Sequence, residues 1–104
     1  YGFINKDGNI IAKGFKNADS FNEGFAWVQF NDNSIGFINK NGNIIAKGFK
    51  YIWPFYEGFA RVQFNDYSYG FINKNGKLYE EDKKTLIPNN DPRRKGIELF
   101  PENL

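Results

Sequence analysis

Two glutamates, Glu23 and Glu57, stand 34 residues apart in the same setting, Glu-Gly-Phe-Ala. Paired carboxylates at a fixed separation are the machinery of glycoside hydrolysis, one giving a proton while the other acts as base or nucleophile. The composition leaves open little other catalytic chemistry. The chain contains no His and no Cys, so Ser-His-Asp and Cys-His arrangements and His or thiolate metal centres are excluded. The competing role for these glutamates is structural. A Glu before Gly at a strand entrance accepts hydrogen bonds from turn amides, and tandem repetition produces equivalent glutamates whatever their chemistry. The structural role is the stronger expectation, and no catalytic residue is assigned.

Two further clusters have the right residue types for binding. Asn5-Lys6-Asp7-Gly8-Asn9 partly matches a calcium loop, but that pattern needs more oxygen ligands and a downstream Glu at fixed spacing. Asp7 becomes Asn41 and Asn75 in the later copies. Turn chemistry explains all three, and neither metal nor cofactor is expected. Arg93-Arg94-Lys95 is a short basic cluster, read as a solvated turn. With a net charge of only +2, nucleic acid is not an expected partner.

The aromatic residues are more informative. Residues 1–34 and 35–68 differ at nine positions. Asn17-Ala18-Asp19-Ser20 becomes Tyr51-Ile52-Trp53-Pro54, Asn22 becomes Tyr56, Asn33 becomes Tyr67, and Trp27 becomes Arg61. Tyr and Trp in loops make stacking platforms for a sugar ring, a peptide or a protein surface, with Arg available for hydrogen bonds or cation–π contact. Tyr51, Trp53, Tyr56, Tyr67, Arg61 and Trp27 are the candidate ligand-binding residues, most of them expected in loops. The alternative is burial against the tail, the third copy or neighbouring repeats.

These side chains must be positioned by a repeat. Tyr1-Gly-Phe-Ile-Asn-Lys recurs at Ile35 and Tyr69 with a period of 34. Two units, 1–34 and 35–68, are followed by a partial third, 69–78, and by a tail, 79–104, expected to cap the domain. Asp7-Gly8, Asn41-Gly42 and Asn75-Gly76 predict two-residue type I′ hairpins, which would pair Phe3 with Ala12, Ile4 with Ile11 and Lys6 with Asn9. Alternation along the strands leaves neither face purely polar, so cover on both sides is expected. Ala26, Val28 and Phe30, repeated as Ala60, Val62 and Phe64, form a core face. A Trp that becomes Arg belongs at the solvent boundary. Strands are predicted near 2–6, 9–15, 24–30, 36–40, 43–49, 58–64, 70–74 and 77–80, about three per repeat in an antiparallel meander. No long stretch has helical periodicity. The all-β units either close into a small barrel or stack like a short solenoid.

Aromatics make up 19% of the 104 residues, enough for a modest core in one domain. No apolar run approaches the roughly 20 residues of a membrane-spanning helix, and membrane insertion is not expected. The chain begins at Tyr1, directly on a repeat motif, as a trimmed fragment or processed product would. The tail holds three of the four prolines. Within it, Glu80–Lys84 reads as a solvated loop. Ile97-Glu98-Leu99-Phe100 reads as a final strand over an open sheet edge, where unpaired backbone invites other chains.

The string Phe21-Asn-Glu-Gly-Phe-Ala-Trp-Val through Ile35-Gly-Phe-Ile-Asn resembles the bacterial WG repeat: Phe-x-Glu-Gly-Leu/Phe-Ala-x-Val, a polar stretch, then Trp-Gly-Phe-Ile-Asp/Asn. The resemblance covers about residues 1–78. The name-giving Trp is Tyr1, Ile35 and Tyr69 here, other large β-formers that suit the same fold. The resemblance implies a β-rich repeat architecture and no reaction. A weaker similarity runs to aromatic/glycine repeats of choline- and glucan-binding modules. The expected function is non-catalytic recognition of a protein partner through the loop aromatics. Glycan or cell-wall binding is the alternative, and a carboxylate hydrolase the third reading.

Overall fold

The structure, a computed structural model, describes residues 2–4 and 10–103. Its strands are β1 (Gly2–Ile4), β2 (Ile10–Lys13), β3 (Asn17–Ala18), β4 (Phe25–Gln29), β5 (Ile35–Asn39), β6 (Ile44–Phe49), β7 (Tyr51–Ile52), β8 (Phe59–Gln63), β9 (Tyr69–Asn73), β10 (Leu78–Tyr79) and β11 (Glu98–Leu99). Two short 3-10 turns, Pro92–Arg94 and Pro101–Asn103, are the only helical segments among the described residues. The Asp7-Gly8 turn, the Lys6–Asn9 pair and the Asn5–Asn9 loop lie outside the described residues.

The strands form three antiparallel sheets, β1-β2, β11-β6-β5-β4-β3 and β10-β9-β8-β7. None closes on itself, so the barrel alternative is set aside. Each larger sheet takes β3-β4 or β7-β8 from the second half of one 34-residue unit and the next pair from the unit that follows. The sheets stack into an elongated body of 41 × 28 × 22 Å. The two-residue strands β3 and β7 add a fourth strand per unit. Tyr51 therefore sits in a strand rather than a loop.

The turns differ from expectation. Gly42 N–H donates to Asn39 O at 2.9 Å and Asn39 N–H to Asn43 O at 2.9 Å, and of the two central residues only Gly42, at φ 84°, is left-handed. This is a three-residue loop ending in a glycine bulge, the alternative to type I′. The Asn39 side-chain oxygen holds it by accepting from the N–H groups of Asn41 and Asn43. The 73–77 loop is built the same way. The type I′ turns lie instead at Glu23-Gly24 and Glu57-Gly58. All four residues have positive φ, and reciprocal backbone bonds join Asn22 to Phe25 and Tyr56 to Phe59.

The extra loop residue shifts the register. Phe3 does pair with Ala12, but Ile4 faces Ile10 rather than Ile11. Likewise Ile38 faces Ile44 while Phe37 faces Ala46. Ile45 is the bulged residue and is buried, so Ile45 and Ala46 both join Phe37 in one core. That core lies between the two larger sheets, with Ile52, Phe55, Ala60, Val62, Phe64, Ile72 and Leu78. A smaller cluster, Ala26, Val28 and Ile38 packed with Phe3, Phe15, Phe21 and Phe30, joins the middle sheet to β1-β2. The middle sheet is thus covered on both faces. Fully burying a large aliphatic or aromatic side chain stabilises by about 1.5–3 kcal/mol, so the larger cluster dominates stability.

The motif glycine has a steric cause. A Cβ on Gly36 would lie 2.2 Å from Ala46 O, and one on Gly70 2.7 Å from Tyr79 O. In both places the backbone of the neighbouring strand comes too close for a side chain.

The tail is ordered against the sheets. β11 pairs with the edge of β6, Leu99 opposite Ala46, and Phe100 N–H donates to Ile45 O at 3.0 Å. Arg93 and Arg94 do not form a solvated turn. Arg93 makes two 2.7 Å bonds to the Glu80 carboxylate and also binds Asp91. Arg94 donates to Ile87 O.

Candidate functional site

Three of the candidate residues converge. Trp27, Tyr51 and Trp53 line one groove of about 260 Å³, together with Asn17, Ala18, Asp19, Ile52 and Pro54. The groove runs between β3 and β7, the edge strands of successive sheets. Its position follows from the repeat: residues 17–20 and 51–54 are equivalent, and stacking brings one set beside the other. Trp27, opposite Phe37 on β4, is half-buried against the main core.

The second-copy aromatics brace one another. Tyr51 meets Trp53 edge-on, centroids 4.9 Å apart, and Trp53 meets Tyr69 at 5.9 Å. The Arg61 guanidinium lies 4.3 Å from the Tyr69 ring centre and 5.8 Å from that of Trp53, and Glu81 pairs with it at 3.3 Å. Tyr69 occupies the name-giving position of the repeat, so that residue also serves the site. Sequence reasoning did not single it out, though the Arg61↔Phe71 and Gln63↔Tyr69 register follows from the hairpin once the strands are known.

Tyr51 is 46% exposed and offers a face to solvent. At the rim, Asn17 and Asp19 spend one side-chain oxygen each on the next residue's N–H. Among the described residues, β7 pairs only with β8 and β3 only with β4. Asp19 N–H is bonded to Trp27 O and Trp53 N–H to Arg61 O, so by antiparallel alternation the backbone groups of Ala18 and Ile52 face the open edge, where the Ala18 N–H is capped by the Asn17 side-chain oxygen.

Tyr56 and Tyr67 are not among the lining residues. Tyr56, 71% exposed, begins the Glu57-Gly58 turn. Tyr67, 64% exposed, holds a left-handed φ of 73° in the Phe64–Ser68 loop. In the first copy Asn33 has the same φ and accepts from the Lys16 ammonium. In the second, the equivalent Lys50 lies 4.6 Å over the Tyr67 ring. A hydrogen bond has been exchanged for a cation–π contact at one site.

Arg61 answers why Trp27 changes between copies. Trp27 faces the next sheet. Arg61 lies on the outer face of the last sheet, beside Phe59 and Phe71, over which Lys83 sits at 5.6 and 4.7 Å. Cations finish a face that in the middle sheet receives Phe55, stacked 4.6 Å from Phe25.

The two repeat glutamates are placed end to end. Glu23 accepts from Glu57 N–H at 2.6 Å and Gly58 N–H at 2.8 Å, with Lys74 3.3 Å away. The Gly58 amide, then the Glu57 amide and Lys74, hold its carboxyl below the usual glutamate value. Among the described residues no group of acidic side chains has metal-binding geometry.

The family model of the WG containing repeat matches residues 1–33 and 35–67. No curated protein and no solved structure matches the chain. Two tandem matches cover more than half of the chain, and the Glu-Gly turns, the steric need for glycine at Gly36 and Gly70 and the stacked sheets give the motif its physical meaning. The chain belongs to the WG-repeat family.

Proposed function

We propose that this chain is a non-catalytic recognition module and that the groove between β3 and β7 docks an extended segment of a protein partner. The observation that carries this reading is the convergence of Trp27, Tyr51 and Trp53 beside an open edge strand. An extended peptide adds backbone hydrogen bonds along such an edge, while side-chain pockets give specificity. Trp and Tyr are the residue types that most often anchor interfaces.

The engagement of Glu23 with the amides of the next repeat supports a structural rather than a chemical role for the repeat glutamates. Hydrolysis of any glycoside that is lost in Glu57→Gln would overturn the non-catalytic reading. Glycan or cell-wall binding is the second reading, favoured by Asn17 and Asp19 in the same groove as Trp27 and Trp53, a combination that suits sugar hydroxyls and ring faces.

Panning a displayed peptide library on the chain, with a glycan array in parallel, separates these. Selected peptides should shift the amides of Ala18 and Ile52 and bind roughly thirtyfold more weakly to Trp53→Ala, the loss of an anchor residue. Array binding abolished by Trp53→Ala, with no peptide selected, would transfer the site to glycans.

A further inference from the structure

The tail encloses a second concavity, on different residues from the β3–β7 groove. It is attached at Ile87, whose N–H donates to Leu78 O, and at Phe100, whose N–H donates to Ile45 O, both at 3.0 Å. Arg93, held by Glu80 and Asp91, fixes the path between. Between these attachments lies a groove of about 440 Å³, within the size range of small-molecule sites, roughly 300–1,000 Å³.

Its walls are chemically one-sided. Ile45, Leu78 and Ile87 are buried and Leu99 is half-buried, giving an aliphatic floor. Leu86, at the rim, is 51% exposed. Among the described residues, the charged ones that line the groove are Lys77 and Arg94, and no carboxylate lines it. Arg94 is oriented by its 2.8 Å bond to Ile87 O, which commits one of its five N–H donors. An aliphatic trough with cations and no competing anion suits a molecule with an alkyl chain and a carboxylate.

We propose that this groove binds a small aliphatic carboxylate of the fatty-acid class, its chain along Ile45, Leu78 and Leu99 and its head group at Lys77 and Arg94. The site depends on the tail, which supplies Ile87, Arg94 and Leu99, while the repeats supply Ile45, Lys77 and Leu78. It also gives the ordered path of the tail a use beyond covering the β6 edge.

The test is a titration of the full chain with dodecanoate, dodecanol and dodecyltrimethylammonium, each below its micelle concentration, followed through backbone amide shifts. Dodecanoate should shift Leu78, Ile87 and Leu99 saturably and bind more tightly than the other two. Lys77→Gln, a change at an exposed residue, should weaken it about fivefold, the effect of one screened charge at contact distance. Leu86→Glu should weaken it as well, while Trp53→Ala should leave it unchanged. Equal affinity for the three head groups, insensitivity to both groove variants, or no saturable shift would overturn the proposal. So would ligand-free shifts of the same amides that grow with protein concentration, since they would assign the groove to a second copy of the chain.

Discussion

Glu23 binds, through its carboxylate, the backbone N–H groups of Glu57 and Gly58: a residue of one repeat caps the same turn of the next. The bond spans the junction between the middle and last sheets, and the turn it caps has positive φ at both central residues. A side chain read first as possible chemistry is thus part of what sets the register of stacking.

That capping predicts a pH effect with a definite sign. The Glu23 carboxyl is held below its ordinary value of 4.5, so its contribution is fully present above that pH and is lost as the pH falls through the folded value. Urea midpoints of the native chain and Glu23→Ala should differ at pH 7 and converge as the pH drops below 4.5. A gap that stays constant would show that the carboxylate charge is not what holds the turn.

Tyr67 is strained. Its φ is 73°, a conformation that costs a bulky L-residue roughly 1–2 kcal/mol and glycine almost nothing. Its contact with Lys50 offsets part of that. Tyr67→Gly should therefore stabilise the chain by about 0.5–1 kcal/mol, raising the melting temperature by a few degrees in calorimetry. A lower melting temperature would mean that the Lys50–Tyr67 contact outweighs the strain.

Arg61 finishes the outer face of the last sheet. Arg61→Trp would restore the residue that the middle sheet presents to its neighbour, next to Phe59 and Phe71. The apolar face so made should give concentration-dependent, head-to-tail association, the result expected of a non-closing contact. Sedimentation velocity would show a rising average mass with Arg61→Trp and a constant one with Arg61→Lys.

The tail depends on a second bulge of β6, at Gly48 between Lys47 and Phe49, and on the Arg93 clamp. A Cβ on Gly48, at φ 101°, would lie 2.0 Å from Gly96 O. Gly48→Ala should cost about 2 kcal/mol or more through overpacking and strain. Arg93→Ala should release the same segment by a different route. In both, amide exchange at Leu99 and Phe100 should accelerate far more than at Ala60 and Val62. The Asp91 arm of the clamp is acid-resistant: Arg93 first, through its side-chain hydrogen bond, brings Asp91 from 3.8 to about 2. Its contribution is therefore present above pH 3.8 and is lost as the pH falls through about 2.

The 34-residue echo, the alternation of Ala26, Val28 and Phe30 and the Phe-x-Glu-Gly-Phe-Ala string determined by themselves that this is an antiparallel β repeat. They also determined which faces are apolar and that the core face repeats as Ala60, Val62 and Phe64. Those are local properties of chain direction and side-chain period, which need no partner to be read. The turn types were not legible, because Asn-Gly suits both a two-residue and a three-residue loop and the choice rests on Asn39 and Asn73 reaching their own turn amides. With that choice went the register of Ile38 and the burial of Ile45. Only the tertiary structure decided that the sheets stack instead of closing, that Glu23 reaches Glu57, and that Trp27 of one unit lines the same groove as Tyr51 and Trp53 of the next. These contacts join residues more than twenty positions apart, and their geometry comes from the packing of whole sheets, which no short window of sequence contains.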